Sequence, residues 1–376
     1  MNDIHKEVVV IKKPIWEPYS LANWLTGGKA GNQGLVSKDK KAFKPRIVDR
    51  IRANYFIPDP RKFWVKPSIS FLKQYISEHN IQYMITTGPP HSMHLIGEGL
   101  KKDMPELKWI VDIRDPWSRF DFLKSFGSSQ RALNKQAGLE KKVLDAADRV
   151  IATSFQMKEL LVDFDSDKFS CITNGFDPED FESFEDVAAE DELIIYHAGL
   201  LNSVRNPVNL WKDLSALCRS NKTINERLKI HLVGVVDEDI SEELKAYSEF
   251  EGKLKIEAYK PHDAVIRDYG NADVLLLLVN NTDNAAANIP GKLFEYIATD
   301  KSILIVSEDG SDAHQLLQNY TNHYHVHYNL KSDVDLDALE SFLLQSNKHP
   351  APDPEFKSSF DRRNLTSKLV NLLLEL

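Results

Sequence analysis

At 376 residues the chain is long enough for two domains of ordinary size, each with its own core. Hydrophobic content of 42% and charged content of 27% are those of a globular protein, and a net charge of −9 excludes a general nucleic-acid binder. The two cysteines, Cys171 and Cys218, lie in unrelated contexts, which fits a reducing compartment and excludes a disulfide framework or a cysteine zinc site. Val8–Ile11 reads as a strand and is too short for the apolar core of a signal peptide. Nothing approaches the ~20 apolar residues of a spanning helix, so the expected location is the cytoplasm, at most peripheral at the inner face of a membrane. Lys12–Pro60 is polar and broken by Gly and Pro, with a helix near Pro45–Ala53. Between Lys29 and Lys66 there are eleven Lys/Arg against three Asp, a local +8, with Trp24, Phe43, Tyr55, Phe56, Phe63 and Trp64 interleaved or adjacent. That combination suits an anionic membrane surface or a phosphorylated, lipid-linked substrate; a solvated loop with a few core anchors accounts for it equally simply.

Regular alternation of strand and helix then begins. Ser68–Glu78 has helical spacing, and Ile81–Thr86 reads as a strand ending in Gly88-Pro89-Pro90, followed by a helix that carries His91 and His94. Trp109–Arg114 is a strand, Gln130–Ala147 a long helix, Arg149–Ala152 a strand, Phe155–Val162 a helix, and Phe169–Thr173 a strand closed by Asn174-Gly175. This βα alternation predicts a doubly wound parallel sheet over residues 1–177. The acidic, aperiodic stretch Pro178–Glu192 reads as a linker. A second α/β domain over 193–350 restarts the pattern, with strands at Leu193–Tyr196, Leu228–Val236, Leu254–Ala258, Asp273–Val279, Ile303–Val306 and Tyr324–Tyr328. Helices are expected at Val208–Cys218, Ser241–Phe250, His262–Tyr269, Ala313–Gln318 and Leu336–Leu344. A terminal helix over Arg363–Leu376, within residues 351–376, is free to pack back on the N-terminal domain.

The stretch Ile289–Ile297 (IPGKLFEYI), between two continuous apolar runs, is the most informative. Pro290 and Gly291 break the backbone, and Leu293, Phe294 and Ile297 recur at helical spacing. A helix N-terminus at the carboxyl edge of a parallel sheet is suited to an anion, and Lys292 adds a full charge there. Glu295, one turn on, can accept hydrogen bonds from hydroxyls beside that anion. Phosphate and hydroxyls together suggest a nucleotide or nucleotide-sugar. An ordinary helix start with an exposed Lys and Glu is the plainer alternative.

IPGKLFEYIA, TTGPPHSMHLIG, VDIRDPW, TNGFD and HAGLLNSVRNP together resemble glycosyltransferase family 4, in the branch common in bacterial surface-polysaccharide pathways. The likeness covers roughly Phe56 to Ser307. It implies a GT-B fold: two Rossmann-like, doubly wound parallel-sheet domains facing across a cleft, the nucleotide-sugar donor on the C-terminal one and a glycan or lipid-linked acceptor mainly on the other. It also implies metal-independent transfer with retention at the anomeric carbon, and no cofactor. By position, Gly199 opens the loop at the diphosphate, with Asn206 in the same stretch. Arg205 stands where the family usually has a Lys neutralising the departing phosphate. Ile289, Pro290, Gly291, Lys292 and Leu293 line that diphosphate, Glu295 holds the ribose, and Tyr259–His262 closes over the base. On the acceptor side stand His91, Arg114, Asp115 and Asn174. His91 is suited to contact phosphate or carry a proton, and Asp115 to orient the acceptor hydroxyl. Arg114 cannot be a general base and would contact phosphate or sugar; an Asp112–Arg114–Asp115 ion-pair cluster is the structural alternative.

Three positions depart from the family pattern. Ala287 occupies the place of the first Glu of its paired-Glu motif, eight residues before Glu295. Leu200 replaces the Arg that usually follows Gly199. Val8–Ile11 reaches Gly27-Gly28 only after sixteen residues, where the family has a strand leading directly to a Gly-rich loop. Two metal-like patterns are set aside. His323, His325 and His327 alternate along a strand without a carboxylate at similar spacing, and Asp163, Asp165 and Asp167 mimic a calcium loop but place Lys168 where Gly is required.

Overall fold

The computed structural model describes residues 6–15, 47–164, 166–189, 191–320, 322–328, 335–346 and 352–376. They form two compact units. Unit 1 runs to Ala152 and includes Met157–Ser170 and Glu375–Leu376; unit 2 comprises Thr153–Gln156 and Cys171–Leu374.

Unit 1 is built on four strands in sequential order: β1 (Tyr83–Gly88), β2 (Lys108–Ile113), β3 (Arg149–Ala152) and β4 (Phe169–Cys171). Parallel pairing sets Gly88 beside Ile113 and Ala152 beside Ile113 on the other flank, so the three strand ends share one edge. One face of β2, with Trp109, Val111 and Ile113, packs with Val143, Leu144 and Trp117. A second cluster joins Ile76 of helix Val65–His79 to Ile96 and Leu100 of helix Ser92–Asp103.

Val8–Ile11 does not form the expected strand. All four residues are exposed and unpaired in a ladder among the described residues, because β-branched composition favours a strand only where a neighbouring edge accepts it. Residues 29–46 of the basic Lys29–Lys66 stretch lie outside the described residues, as do Gly27 and Gly28. Within its described part, helix Ile47–Tyr55 replaces the expected Pro45–Ala53 span, and Lys62 lies over the rings of Phe56 and Phe63.

Unit 2 carries β5 (Leu193–Leu201), β6 (Leu228–Val236), β7 (Leu254–Glu257), β8 (Val274–Leu278), β9 (Ser302–Ser307) and β10 (His323–His327). Their order across the sheet is β10-β9-β8-β5-β6-β7, all parallel. The unbroken apolar runs follow from this architecture. Leu276, Leu278, Leu304 and Val306 enter the core on one face, and Leu275, Leu277, Ile303 and Ile305 enter the core on the other.

Residues 178–192, expected as a linker, instead lie in unit 2, where Phe181 and Phe184 pack on the second of these cores and Lys301 pairs with Asp186. Their acidic surroundings mask two aromatic anchors three residues apart. Helix Arg362–Leu374, with the turn before it, is also part of unit 2: Phe356 and Phe360 pack on the same core, and the Phe176 N–H donates to the Phe360 carbonyl. No helix among the described residues is long and apolar enough to cross a membrane.

Candidate functional site

The carboxyl edge of the unit 2 sheet brings β5 and β6 together at two glycines. Gly199 and Gly234 are register partners, and Gly234 has φ +123; a Cβ on it would lie 2.3 Å from the Gly199 carbonyl oxygen. The two backbones therefore approach more closely than any side chain would allow. A Cβ built on Gly199 would lie 3.2 Å from His197 Nε2 and 3.3 Å from Lys292 Nζ, so the small residue keeps open a space ringed by these groups.

Lys292 begins helix Lys292–Ala298, anchored by the fully buried Leu293, Phe294, Tyr296 and Ile297 on its inner side. Arg205 lies in the loop after β5, where its Nε donates to Asn280 Oδ1 at 2.6 Å. Loop 202–206 is also tied to the end of β8, since Asn281 N–H donates to the Val204 carbonyl at 2.7 Å. Arg205 and Lys292 are half-buried and within electrostatic reach of each other. Burial lowers both below their ordinary values; Arg205 lowers Lys292 further, while Glu295 opposes it. Neither cation has a carboxylate ion-pair partner among the described residues. Two positive groups held near each other, with Glu295 acting on Lys292 only from beyond ion-pair distance, favour an anion between them.

His197 opens the HAGLLNSVRNP stretch, whose spacing assigns it no role. It is buried on β5; its Nδ1 bonds to the Leu276 carbonyl at 2.9 Å, which leaves Nε2 as a lone pair without a partner beside Gly199. Its pKa falls to about 4, chiefly through burial, with Lys292 and Arg205 adding to the drop and the Leu276 bond opposing it. The ring is therefore a neutral acceptor at the floor of the space.

Glu295 is held from both sides. Tyr269 O–H donates to Oε2 at 2.9 Å, and His262 Nε2 lies 3.2 Å from Oε1. Tyr259, in the loop after β7, is 80% exposed. Gly291 is exposed and Pro290 half-buried, whereas Ile289 and Leu293 are core residues whose side chains face inward. The Leu293 and Phe294 N–H groups bond back to the Pro290 and Gly291 carbonyls, so the side chains rather than these two amides must hold an anion. Asn206 is engaged elsewhere: its Oδ1 accepts from Trp211 Nε1 at 2.8 Å and its Nδ2 donates to Glu243 at 3.1 Å. Ala287 is buried in the short turn Ala285–Ala287.

In unit 1 the ends of β1 and β2 form a second cluster. Arg114 N–H donates to the Gly88 carbonyl at 3.0 Å, and Asp59 caps the following helix through Ser92 N–H and Oγ. His91 stacks on Trp117 with centroids 4.7 Å apart, and its Nδ1 has no partner. Burial pulls its pKa down to about 4, with the Pro116 backbone opposing. Trp117 is fixed by Gln136 at 2.8 Å. Arg114 is 3.4 Å from the buried Asp112, and Asp115 is exposed beside it. Asn174 belongs to unit 2 and is half-buried. Asp165 of the calcium-like run lies outside the described residues, and Lys168 reaches the Asp145 and Ala147 carbonyls at the end of a helix.

No family model and no curated protein matches the chain in sequence. Solved structures do match in fold. The lipopolysaccharide outer core galactosyltransferase WaaB is 14% identical, with a TM-score of 0.54 over 82% of this chain and 79% of that one. Sucrose-phosphate synthase from Thermosynechococcus elongatus is 15% identical, with a TM-score of 0.56 over 83% and 77%. HepE from Anabaena, solved with UDP-glucose, is 13% identical, with a TM-score of 0.52 over 82% of each chain. The chain therefore has two parallel-sheet α/β domains of the GT-B type.

Proposed function

We propose that the protein is a glycosyltransferase that binds a UDP- or GDP-sugar at the carboxyl edge of the six-stranded sheet and transfers the sugar with retention. The observation that carries this reading is the pair Arg205 and Lys292, half-buried and within electrostatic reach of each other, with Lys292 beside Gly199 and neither cation in an ion pair with a carboxylate among the described residues. A diphosphate supplies the missing counter-charge. As the bond from the anomeric carbon to the phosphate oxygen breaks, negative charge grows on the departing nucleotide, and fixed cations stabilise that charge. Two side-chain cations make a metal unnecessary for this step. Glu295, oriented by Tyr269 and His262, accepts from the ribose hydroxyls, and the exposed Tyr259 stacks on the base. The acceptor is a glycan or lipid-linked intermediate of surface-polysaccharide synthesis, met by His91, Arg114 and Asp115. Support for a nucleotide-sugar-dependent transferase comes from the shared fold of WaaB, a galactosyltransferase, and of HepE, solved with UDP-glucose. The basic Lys29–Lys66 stretch would hold the enzyme at the cytoplasmic face of an anionic membrane.

A second reading, a nucleotide-sugar-binding scaffold without transfer activity, draws on Ala287 and Leu200, which remove two polar contacts from the site. Nucleotide release from a panel of UDP- and GDP-sugars, with lipid-linked saccharides as acceptors, separates the two. The enzyme reading predicts acceptor-dependent release that Lys292→Ala lowers at least ~10-fold with the fold intact. Binding without release would favour the scaffold.

A further inference from the structure

One cluster of potential metal ligands stands apart from the donor residues. Among the described residues, Asp309, His314 and His325 bring one ligand atom each within 4.8 Å of the others. They come from three elements: the loop after β9, helix Asp312–Leu317 and strand β10. Of the three alternating histidines of β10, only His325 joins this group. The carboxylate that the strand itself lacks is supplied by Asp309, from a different loop.

The hydrogen bonds fix which ring nitrogen of His325 carries its proton. Nε2 lies 3.2 Å from the Ser307 carbonyl, which can only accept, and 3.0 Å from Ser307 Oγ. Ser307 Oγ already donates to the Glu308 carbonyl and receives the Ser311 hydroxyl. Nε2 is therefore the donor, and Nδ1 presents a lone pair 3.6 Å from the Asp309 carboxylate. His314 Nδ1, buried in the same cluster, has no partner. Two acceptors, the His325 Nδ1 lone pair and the Asp309 carboxylate, thus face each other, with the unpartnered His314 Nδ1 in the same group of side chains. A ring that gives its other N–H to a backbone carbonyl is also the usual second contact of a metal-bound histidine.

We propose that Asp309, His314 and His325 form a site for a divalent cation of the zinc class, with three protein ligands and a remaining position for water. The rings of His314 and His325 are stacked 3.7 Å apart, so binding requires one ring to tilt until both lone pairs lie toward the ion. The ion would clamp the Glu308–Ser311 loop to β10, which lies two strands beyond β8 along the sheet edge from the donor residues.

Titration of the untagged full chain with Zn2+ against a chromophoric chelator, and with Co2+ followed by its visible absorption, tests the site. The expected result is one ion per chain, with Zn2+ displacing Co2+ and Mg2+ failing to compete. Asp309→Asn, His314→Ala and His325→Ala should each weaken binding at least ~10-fold, while His323→Ala leaves it unchanged. Asp309 is exposed, so its variant retains the fold and carries the test even where His325→Ala does not. Absence of one-to-one binding, equal competition by Mg2+, or Zn2+ affinity unaffected by Asp309→Asn would overturn the proposal.

Discussion

Replacing Lys292 by Met removes a charge while keeping an unbranched stem, and it should act in opposite directions on the free protein and its complex. In the free protein burial, with a smaller contribution from Arg205 and against the opposing pull of Glu295, holds the Lys292 amine below its ordinary 10.5. The unfolded chain therefore binds more protons than the fold in the window just below 10.5. Wild-type stability rises as pH climbs through that window, and the Met variant, lacking the group, does not follow it. At neutral pH the variant should be as stable as wild type or more so. With a nucleoside diphosphate bound, the same change removes a charge-assisted contact of about 2 kcal/mol, weakening the dissociation constant ~30-fold. At a ligand concentration 100 times the wild-type Kd, wild type gains about 2.7 kcal/mol and the variant about 0.9 kcal/mol. For a unit of about 200 residues, that is a Tm rise of roughly 5–10 °C against 2–3 °C. Thermal unfolding with and without nucleotide, at pH 7 and pH 10, reads both effects. A variant destabilised by more than ~1 kcal/mol at pH 7 that keeps the full ligand-induced rise would refute the reasoning.

Three further outcomes follow from single contacts. Tyr269→Phe removes the donor to Glu295 Oε2, so nucleotide affinity should fall ~3–10-fold and stability by about 1–2 kcal/mol; calorimetry and urea unfolding read the two. Gly234→Ala places a Cβ against the Gly199 carbonyl at an unfavourable φ and should destabilise unit 2 by at least ~2 kcal/mol, visible as a lower urea midpoint. His91, His94 and His197 have folded pKa values near 4, 3 and 4, below the ordinary 6.5, through burial first. Stability should therefore fall as pH drops from about 6.5 to 4; a flat urea midpoint across that range would contradict their buried, neutral state.

What the sequence makes legible is what depends on local periodicity. The continuous apolar runs of β8 and β9 can only be strands covered on both faces, and the structure places every one of their residues in a core. The IPGKLFEYI punctuation likewise locates the start of helix Lys292–Ala298. Failures occur where a partner distant in sequence decides. Val8–Ile11 has strand composition but no paired edge among the described residues, and Phe181 and Phe184 hold the acidic stretch after Pro178 against a core that only the fold creates. Asn206 sits in a loop of the donor edge, yet Trp211 and Glu243 consume its amide. His197 and Asn280 reach the site through register and loop contacts that no spacing rule encodes. The same holds for Asp309, His314 and His325, which sequence spacing alone would never group.

The most direct test of the account is calorimetric titration of the full chain with UDP, GDP, CDP and ADP and their sugars, repeated on an Arg205→Ala, Lys292→Met double variant. The account predicts one-to-one binding of a uridine or guanosine diphosphate and its sugar, lost in the double variant while the folded state persists. Failure of every nucleotide to bind, or binding that survives loss of both cations, would contradict it.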